Sequence, residues 1–318
     1  EKWYGLDFRG KPIQPGQYTW KGVHHELITT KFLLSVHNSG TPPYKTSDGT
    51  GGWGGDHTDP VTAEAFGDDM ILAWPFGEAG WGLIRVGLDG DKKASSQRGN
   101  ATCLATDAEN HRIFAANRRR AEGVRVFDGR DFRPINISEQ RGKPEQPTPE
   151  AGKSNTVSGL AYARNWIYVA YGERNLICVN DGNTGALLAS WDVPEPGRLA
   201  AAKDGFILAI SGQKILRVQD GKHSVFAADH LDQPTGIAVD ADGRVYVTNQ
   251  GKLQNVSVFS PAGKYLRSIG KTGGRPRSGL YDPAGMLQPA GCAIDSKGRL
   301  WVAEHIDAPK RFSVWDTR

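Results

Sequence analysis

Methionine occurs twice and cysteine three times among the 318 residues, and no apolar run approaches the roughly 18 residues needed for a membrane-spanning helix. The chain therefore offers no helical membrane span, in line with its mean hydropathy of -0.49. Three thiols cannot all pair with one another, and Cys103, Cys178 and Cys292 each stand inside an apolar, strand-like segment. Buried free thiols are expected. A strong excess of one charge is also missing, since 39 Lys and Arg face 35 Asp and Glu for a net charge of +4. Arg118-Arg119-Arg120 is the only basic triplet, so the dense basic stripe of a nucleic-acid binder is absent. P-loop, G-x-S-x-G, H-E-x-x-H, C-x-x-C and complete EF-hand patterns are all missing, which removes the sequence support for the chemistries they carry.

Glycine and proline, by contrast, are plentiful, at 40 and 18. A breaker about every five to six residues leaves little room for long helices and suits short strands joined by tight turns. Self-comparison then sets the architecture. From Pro234 the chain reads P-T-G-I-A-V-D-A-D-G-R-V-Y-V-T-N, and from Pro289 it reads P-A-G-C-A-I-D-S-K-G-R-L-W-V-A-E. Each copy joins a small-apolar strand to a β-branched or aromatic strand through a two-residue turn, Asp242-Gly243 or Lys297-Gly298, which is a hairpin signal.

Weaker copies span Val61–Trp74, Thr102–Asn117, Gly159–Tyr171 and Leu199–Ser211, making six hairpins. Each is followed by a third short strand, and five by a fourth, at Lys92–Ser96, Phe132–Ile137, Ala186–Val193, His223–Ala227 and Tyr265–Ile269. A ring must close or leave an edge strand open, and Lys31–Val36 can supply the missing outer strand. The predicted fold is all-β, a six-bladed β-propeller of four-stranded antiparallel blades closed by an N-terminal strand.

The pattern P-x-G-I-A-V-D-x-x-G-R-V-Y-V, followed by V-S-V-F-S-P-A-G-K-Y, resembles the NHL repeat most strongly over Gln233–Trp315. Similar propellers include gluconolactonase-type lactonases, peptide-amidating lyases, strictosidine synthase relatives and binding modules without catalysis. The lactonase resemblance implies an Asn within P-N-G near a metal, but the corresponding turns read Pro234-Thr235-Gly236 and Pro289-Ala290-Gly291. The amidating lyases imply several channel His ligands, for which only His57 and His305 are candidates.

A second resemblance covers the start. Trp3-Tyr4-Gly5-Leu6-Asp7 with Gly10 and Pro15-Gly16-Gln17-Tyr18 is similar to the last strands of an FlgD-type Ig-like module. On that reading residues 1–25 are the C-terminal remnant of such a module and residues 26–318 the propeller. The module is widespread in secreted bacterial proteins. The resemblance thus implies an extracellular or cell-envelope setting, with other domains of a longer parent chain as partners.

In a four-stranded blade, the link to the next blade and the turn between second and third strands fall on one face. Here that face carries the long segments His37–Pro60, Ser138–Ser158 and Lys271–Gln288, so binding residues are expected there. Asp48–Pro60, rich in glycine, places Trp53, Asp56, His57 and Asp59 just before the first inner strand, and the last blade offers Glu304, His305 and Asp307. Three readings stand side by side: Asx-turn scaffolding, a divalent metal such as Ca or Zn held by Asp56, His57 and His305, and acid–base chemistry by His57, Glu304 and His305.

Asn117, Arg118, Tyr171, Arg174, Asn249, Gln250, Tyr281 and Gln288 complete the candidate ligand-binding set on this face. Rings stack on apolar sugar faces while amides, Arg and carboxylates bind hydroxyls or uronate groups, so the expected ligand is a polysaccharide or other small polar molecule. The expected function is ligand binding. A polysaccharide lyase or hydrolase at the channel mouth and a structural module of a larger assembly are the alternatives.

Overall fold

A computed structural model describes residues 4–7, 9–19, 21, 22, 24, 45–118, 122–137, 143–278, 281–307 and 309–318. The chain divides into two compact units, Glu1–Pro42 and Pro43–Arg318. In the first, Leu6 bridges Pro12, Asp7 N–H donates to the Lys11 carbonyl at 2.8 Å, and the Asp7 carboxylate caps the turn by accepting from the amides of Arg9 and Lys11. Gly10 takes a φ of 73° there, a conformation that costs glycine nothing.

The second unit is a six-bladed β-propeller. Blade 1 comprises β1 (Thr62–Phe66), β2 (Asp69–Ala73), β3 (Leu83–Gly87) and β4 (Lys92–Ser96), and blade 2 comprises β5 (Cys103–Asp107), β6 (Arg112–Ala116) and β7 (Arg125–Asp128). Blade 3 holds β8 (Gly159–Ala163), β9 (Trp166–Tyr171), β10 (Leu176–Asp181) and β11 (Leu187–Asp192). Blade 4 holds β12 (Pro196–Ala201), β13 (Ile207–Ser211), β14 (Lys214–Gln219) and β15 (Lys222–Ala227). Blade 5 follows with β16 (Pro234–Val239), β17 (Val245–Asn249), β18 (Asn255–Phe259) and β19 (Tyr265–Ile269). Blade 6 has β20 (Pro289–Ile294), β21 (Leu300–Glu304) and β22 (Arg311–Trp315). All pairings within the blades are antiparallel.

One expected outer strand differs. In blade 2, Phe132–Ile137 is reduced to one bridge, Phe127 to Pro134, because Pro134 brings no N–H to the ladder and Phe132 turns into the left-handed region at φ 59°. The closing strand expected at Lys31–Val36 lies outside the described residues.

The hairpins are clamped by the same device. Asp240 Oδ2 accepts from Arg244 Nε at 2.7 Å and the Tyr246 hydroxyl at 2.8 Å, while Asp295 Oδ2 accepts from Arg299 Nε and Trp301 Nε1, both at 2.8 Å. Their Oδ1 atoms take turn amides, including those of Arg244 and Arg299. The D-x-x-G-R-x-[YW] spacing of the repeat is therefore a turn lock.

Six apolar clusters fill the six gaps between blades. One joins Ala293 and Trp301 of blade 6 to Ala63, Met70, Trp74 and Ile84 around blade 1, so the ring is closed by packing. It is also closed by the Gly291 N–H, which donates to the Val61 carbonyl at 2.9 Å. The repeat's P-x-G glycines serve this closeness, since a Cβ on Gly236 would lie 2.3 Å from the Ala290 carbonyl and one on Gly291 would lie 2.3 Å from Thr62 Oγ1. Among the aromatic residues, Trp301 and Trp315 pack between blades, whereas Trp166 is partly exposed at 38% and meets Tyr168 edge-on. Cys103, Cys178 and Cys292 are buried free thiols.

Candidate functional site

Asp48–Pro60 belongs to the scaffold of blade 1. Lys92, fully buried, donates from Nζ to Thr50 Oγ1 at 2.7 Å and to the Gly51 carbonyl at 2.8 Å, and its charge faces Asp48 at 3.5 Å. Trp53 Nε1 donates to the Gly90 carbonyl, and its ring meets Trp74 edge-on. A Cβ on Gly54 or Gly55 would fall 2.4 or 2.5 Å from the Trp74 ring, so these glycines permit packing of backbone on indole.

Asp56 accepts from the amides of Glu78 and Ala79 at 2.9 and 2.6 Å. Desolvation opposes ionisation, but those N–H donors hold its carboxyl well below the usual range. His57 Nε2 lies 2.8 Å from Glu78 and 3.7 Å from Asp56, with the imidazole 56% exposed. Asp59 is half-buried beside Pro60.

Glu304 is at the centre of a different cluster. It is 0% exposed and accepts from Arg275 Nη2 at 2.9 Å, Arg311 Nε at 2.7 Å and the Leu287 amide at 3.0 Å. Arg311 Nη1 also donates to the Tyr281 hydroxyl at 2.5 Å. The Glu304 carboxylate is thus consumed by the fold. Among the described residues, no group of three His, Cys, Asp or Glu converges to hold a metal ion, and Asp56, His57 and His305 form no such set.

Several other expected ligand residues are also internal. Tyr171 is buried, and burial pushes its phenol up. Asn117 donates to the Pro75 carbonyl, Asn249 to Asn255 and Ser257, and Arg174 to Asn155. Gln288, by contrast, is exposed, and its backbone carbonyl accepts the His305 amide.

The long-loop face does carry a cavity, of ≈ 370 Å³, at the mouth of the central channel. Arg118, Gln250 and His305 come to it from turns between second and third strands, while Glu195, Arg198 and Thr235 come from the entries to inner strands. Of the expected residues, then, Arg118, Gln250 and His305 are brought together. His305 Nδ1 lies 3.1 Å from the Pro60 carbonyl; a proton on Nδ1 satisfies that acceptor and leaves the Nε2 lone pair free.

Arg198 and Glu64 are the residues that sequence reading missed. Below the mouth, a second space of ≈ 190 Å³ is lined by β1, β5, β8, β12, β16 and β20. Glu64, on β1, is in contact with that space yet walled by protein, and desolvation pushes its carboxyl up to about 8 against the pull of Arg198. Arg198, on β12, projects from the opposite side of the ring. Burial lowers its pKa, the Arg118 charge adds to the lowering, and Cys103, Cys292 and Glu64 oppose it. Among the described residues, neither the Arg118 nor the Arg198 guanidinium has a hydrogen bond or ion pair. A charged residue within the first or fourth inner strand was the available signal, as the other inner-strand positions lining the passage bring no Asp, Glu, Lys or Arg.

No protein-family model matches the chain, and no curated protein matches it. Solved structures do. A Bacteroides thetaiotaomicron protein of unknown function superposes with a TM-score of 0.62 at 14% identity, over 85% of this chain and 74% of that one. A Xanthomonas campestris gluconolactonase gives 0.57 at 15% identity, over 80% and 85%, and a streptogramin B lyase gives 0.55 at 13% identity, over 82% and 95%. At these identities the similarity shows the fold alone: the chain is a six-bladed β-propeller with the architecture that a lactonase and a lyase also use.

Proposed function

We propose that the propeller binds a small anionic polar ligand at its channel mouth, with a uronate-bearing carbohydrate as the best-fitting class. The observation that carries this reading is the pair Arg118 and Arg198, drawn to one cavity with no hydrogen bond or ion pair to either guanidinium among the described residues. Guanidinium groups recognise carboxylates through paired N–H donors, and Thr235, Gln250 and Glu195 supply polar groups of the kind that sugar hydroxyls need. The cavity volume falls within the range of small-molecule sites. The similarity of residues 3–18 to a module of secreted bacterial proteins supports an extracellular or envelope setting.

Calorimetric titration with a galacturonate oligosaccharide and its neutral galactose counterpart tests the reading. Wild-type protein should bind the acidic sugar more tightly, and Arg118→Ala and Arg198→Met should each weaken that binding by 10-fold or more, as expected for losing about 1.5–3 kcal/mol of charge-assisted hydrogen bonding. Equal affinity for both sugars, or no effect of either variant, would sink it.

A second reading is favoured by His305. With Nδ1 tied to the Pro60 carbonyl, Nε2 is available as a general base in the cavity that gathers the arginines, an arrangement suited to proton abstraction beside a carboxylate. That is lyase chemistry, and one structural neighbour is a lyase. Release of an unsaturated product, followed by ultraviolet absorbance and abolished in His305→Gln, is the expected outcome of this reading; retained turnover in that variant removes His305 from the role.

A further inference from the structure

Glu64 and Arg198 project into one channel from opposite blades, β1 and β12, and lie too far apart for an ion pair. Glu64 stands in a passage otherwise walled by Leu, Ile, Val, Ala and Cys residues with Thr106 and Tyr162, and Arg198 lines the mouth of that passage within electrostatic reach of it. A guanidinium in such surroundings needs a negative charge nearby, and Glu64 is the acid that the channel provides.

We propose that Arg198 and Glu64 form a proton-coupled anion site beneath the mouth: a small oxyanion or ligand carboxylate sits between them while Glu64 is protonated, and ionised Glu64 displaces it. This deepens the reading above, since Arg198 serves both. The protonated acid donates a hydrogen bond to the anion, whereas the carboxylate repels it and becomes the counter-charge of Arg198.

The other groups facing this space are few. Cys292 from β20 and Tyr162 from β8 border it, and Cys103 from β5 acts electrostatically on Arg198; β16 brings no titratable side chain, and Arg118, Glu195 and His305 stand at the mouth above. Burial and the Glu64 charge push the Cys292 thiol up to about 12, and burial with the Asp107 hydrogen bond pushes the Tyr162 phenol up to about 12. Both stay neutral across the range in which Glu64 titrates. His305 lines the same mouth as Arg198, so a His305→Gln variant must be measured alongside.

Sulfate is a suitable probe because its charge is constant from pH 6.5 to 9.5. Thermal unfolding is followed against sulfate at matched ionic strength at those two values. One linked proton and a Glu64 carboxyl near 8 shift the half-saturating sulfate concentration upward roughly 30-fold in the wild type. The shift should persist in His305→Gln and vanish in Glu64→Gln, and Arg198→Met should show no saturable stabilisation. Equal midpoints at both pH values, a shift that survives Glu64→Gln, or sulfate stabilisation indifferent to Arg198→Met would each overturn the proposal. Sulfate binding with these properties but no galacturonate binding would uphold it and reject only the carbohydrate reading.

Discussion

Glu64 also sets a stability expectation of its own, independent of any ligand. Its folded carboxyl is raised by desolvation to about 8, well above the ordinary carboxylate range, so the fold favours the protonated form. That contribution is complete below the unfolded value of about 4.3 and is lost as pH rises through about 8. Thermal midpoints should therefore decline between pH 6 and 9 in the wild type and decline less in Glu64→Gln; parallel curves would show that Glu64 is not desolvated. His57 presents the opposite case. Its ion pair with Glu78 is solvent-facing on both sides, so His57→Ala should change stability by about 1 kcal/mol or less and leave sulfate stabilisation intact. A large loss in urea unfolding would mean that the His57 contacts carry more of the blade than their exposure implies.

Strand ends and loops act together around Glu304, the last residue of β21. Arg275 comes from the segment before β20 and Arg311 from the start of β22, so one carboxylate ties three parts of blade 6 together. Removing one member leaves buried charge unpaired, and Glu304→Ala should cost about 3–5 kcal/mol in denaturant unfolding. A variant that keeps its stability but loses ligand turnover would restore Glu304 to a catalytic role. The turn locks make a related prediction. Asp295→Asn should cost about 1–3 kcal/mol, because Arg299 and Trp301 lose a charged acceptor. These hairpins were legible from the D-x-x-G-R spacing, since an Asx-type turn is a local affair of a few residues. The Glu304 cluster was not, because Arg275 stands 29 positions away and only the folded loop brings it in.

At the scale of the whole molecule, closure depends on the seam between blades 6 and 1. Gly291 admits the Val61 carbonyl there, and any side chain at that position meets Thr62. Gly291→Val should open the seam, with amide exchange accelerated in β1, β2, β20 and β21 before it rises in blades 3 and 4; uniform protection in all blades would place closure elsewhere. The sequence by itself determined the six repeats, their hairpin turns and the face bearing the long loops, because strand period, turn chemistry and repeat length are all local patterns. It also brought Arg118, Gln250 and His305 into view, as turn residues on that face. Only the tertiary structure decided that the glycine-rich segment packs on Trp74 and Lys92, and that Glu304 is sealed by two arginines. It alone set Glu64 and Arg198 across one channel, since which side chains converge depends on how six blades close around an axis that no stretch of sequence contains.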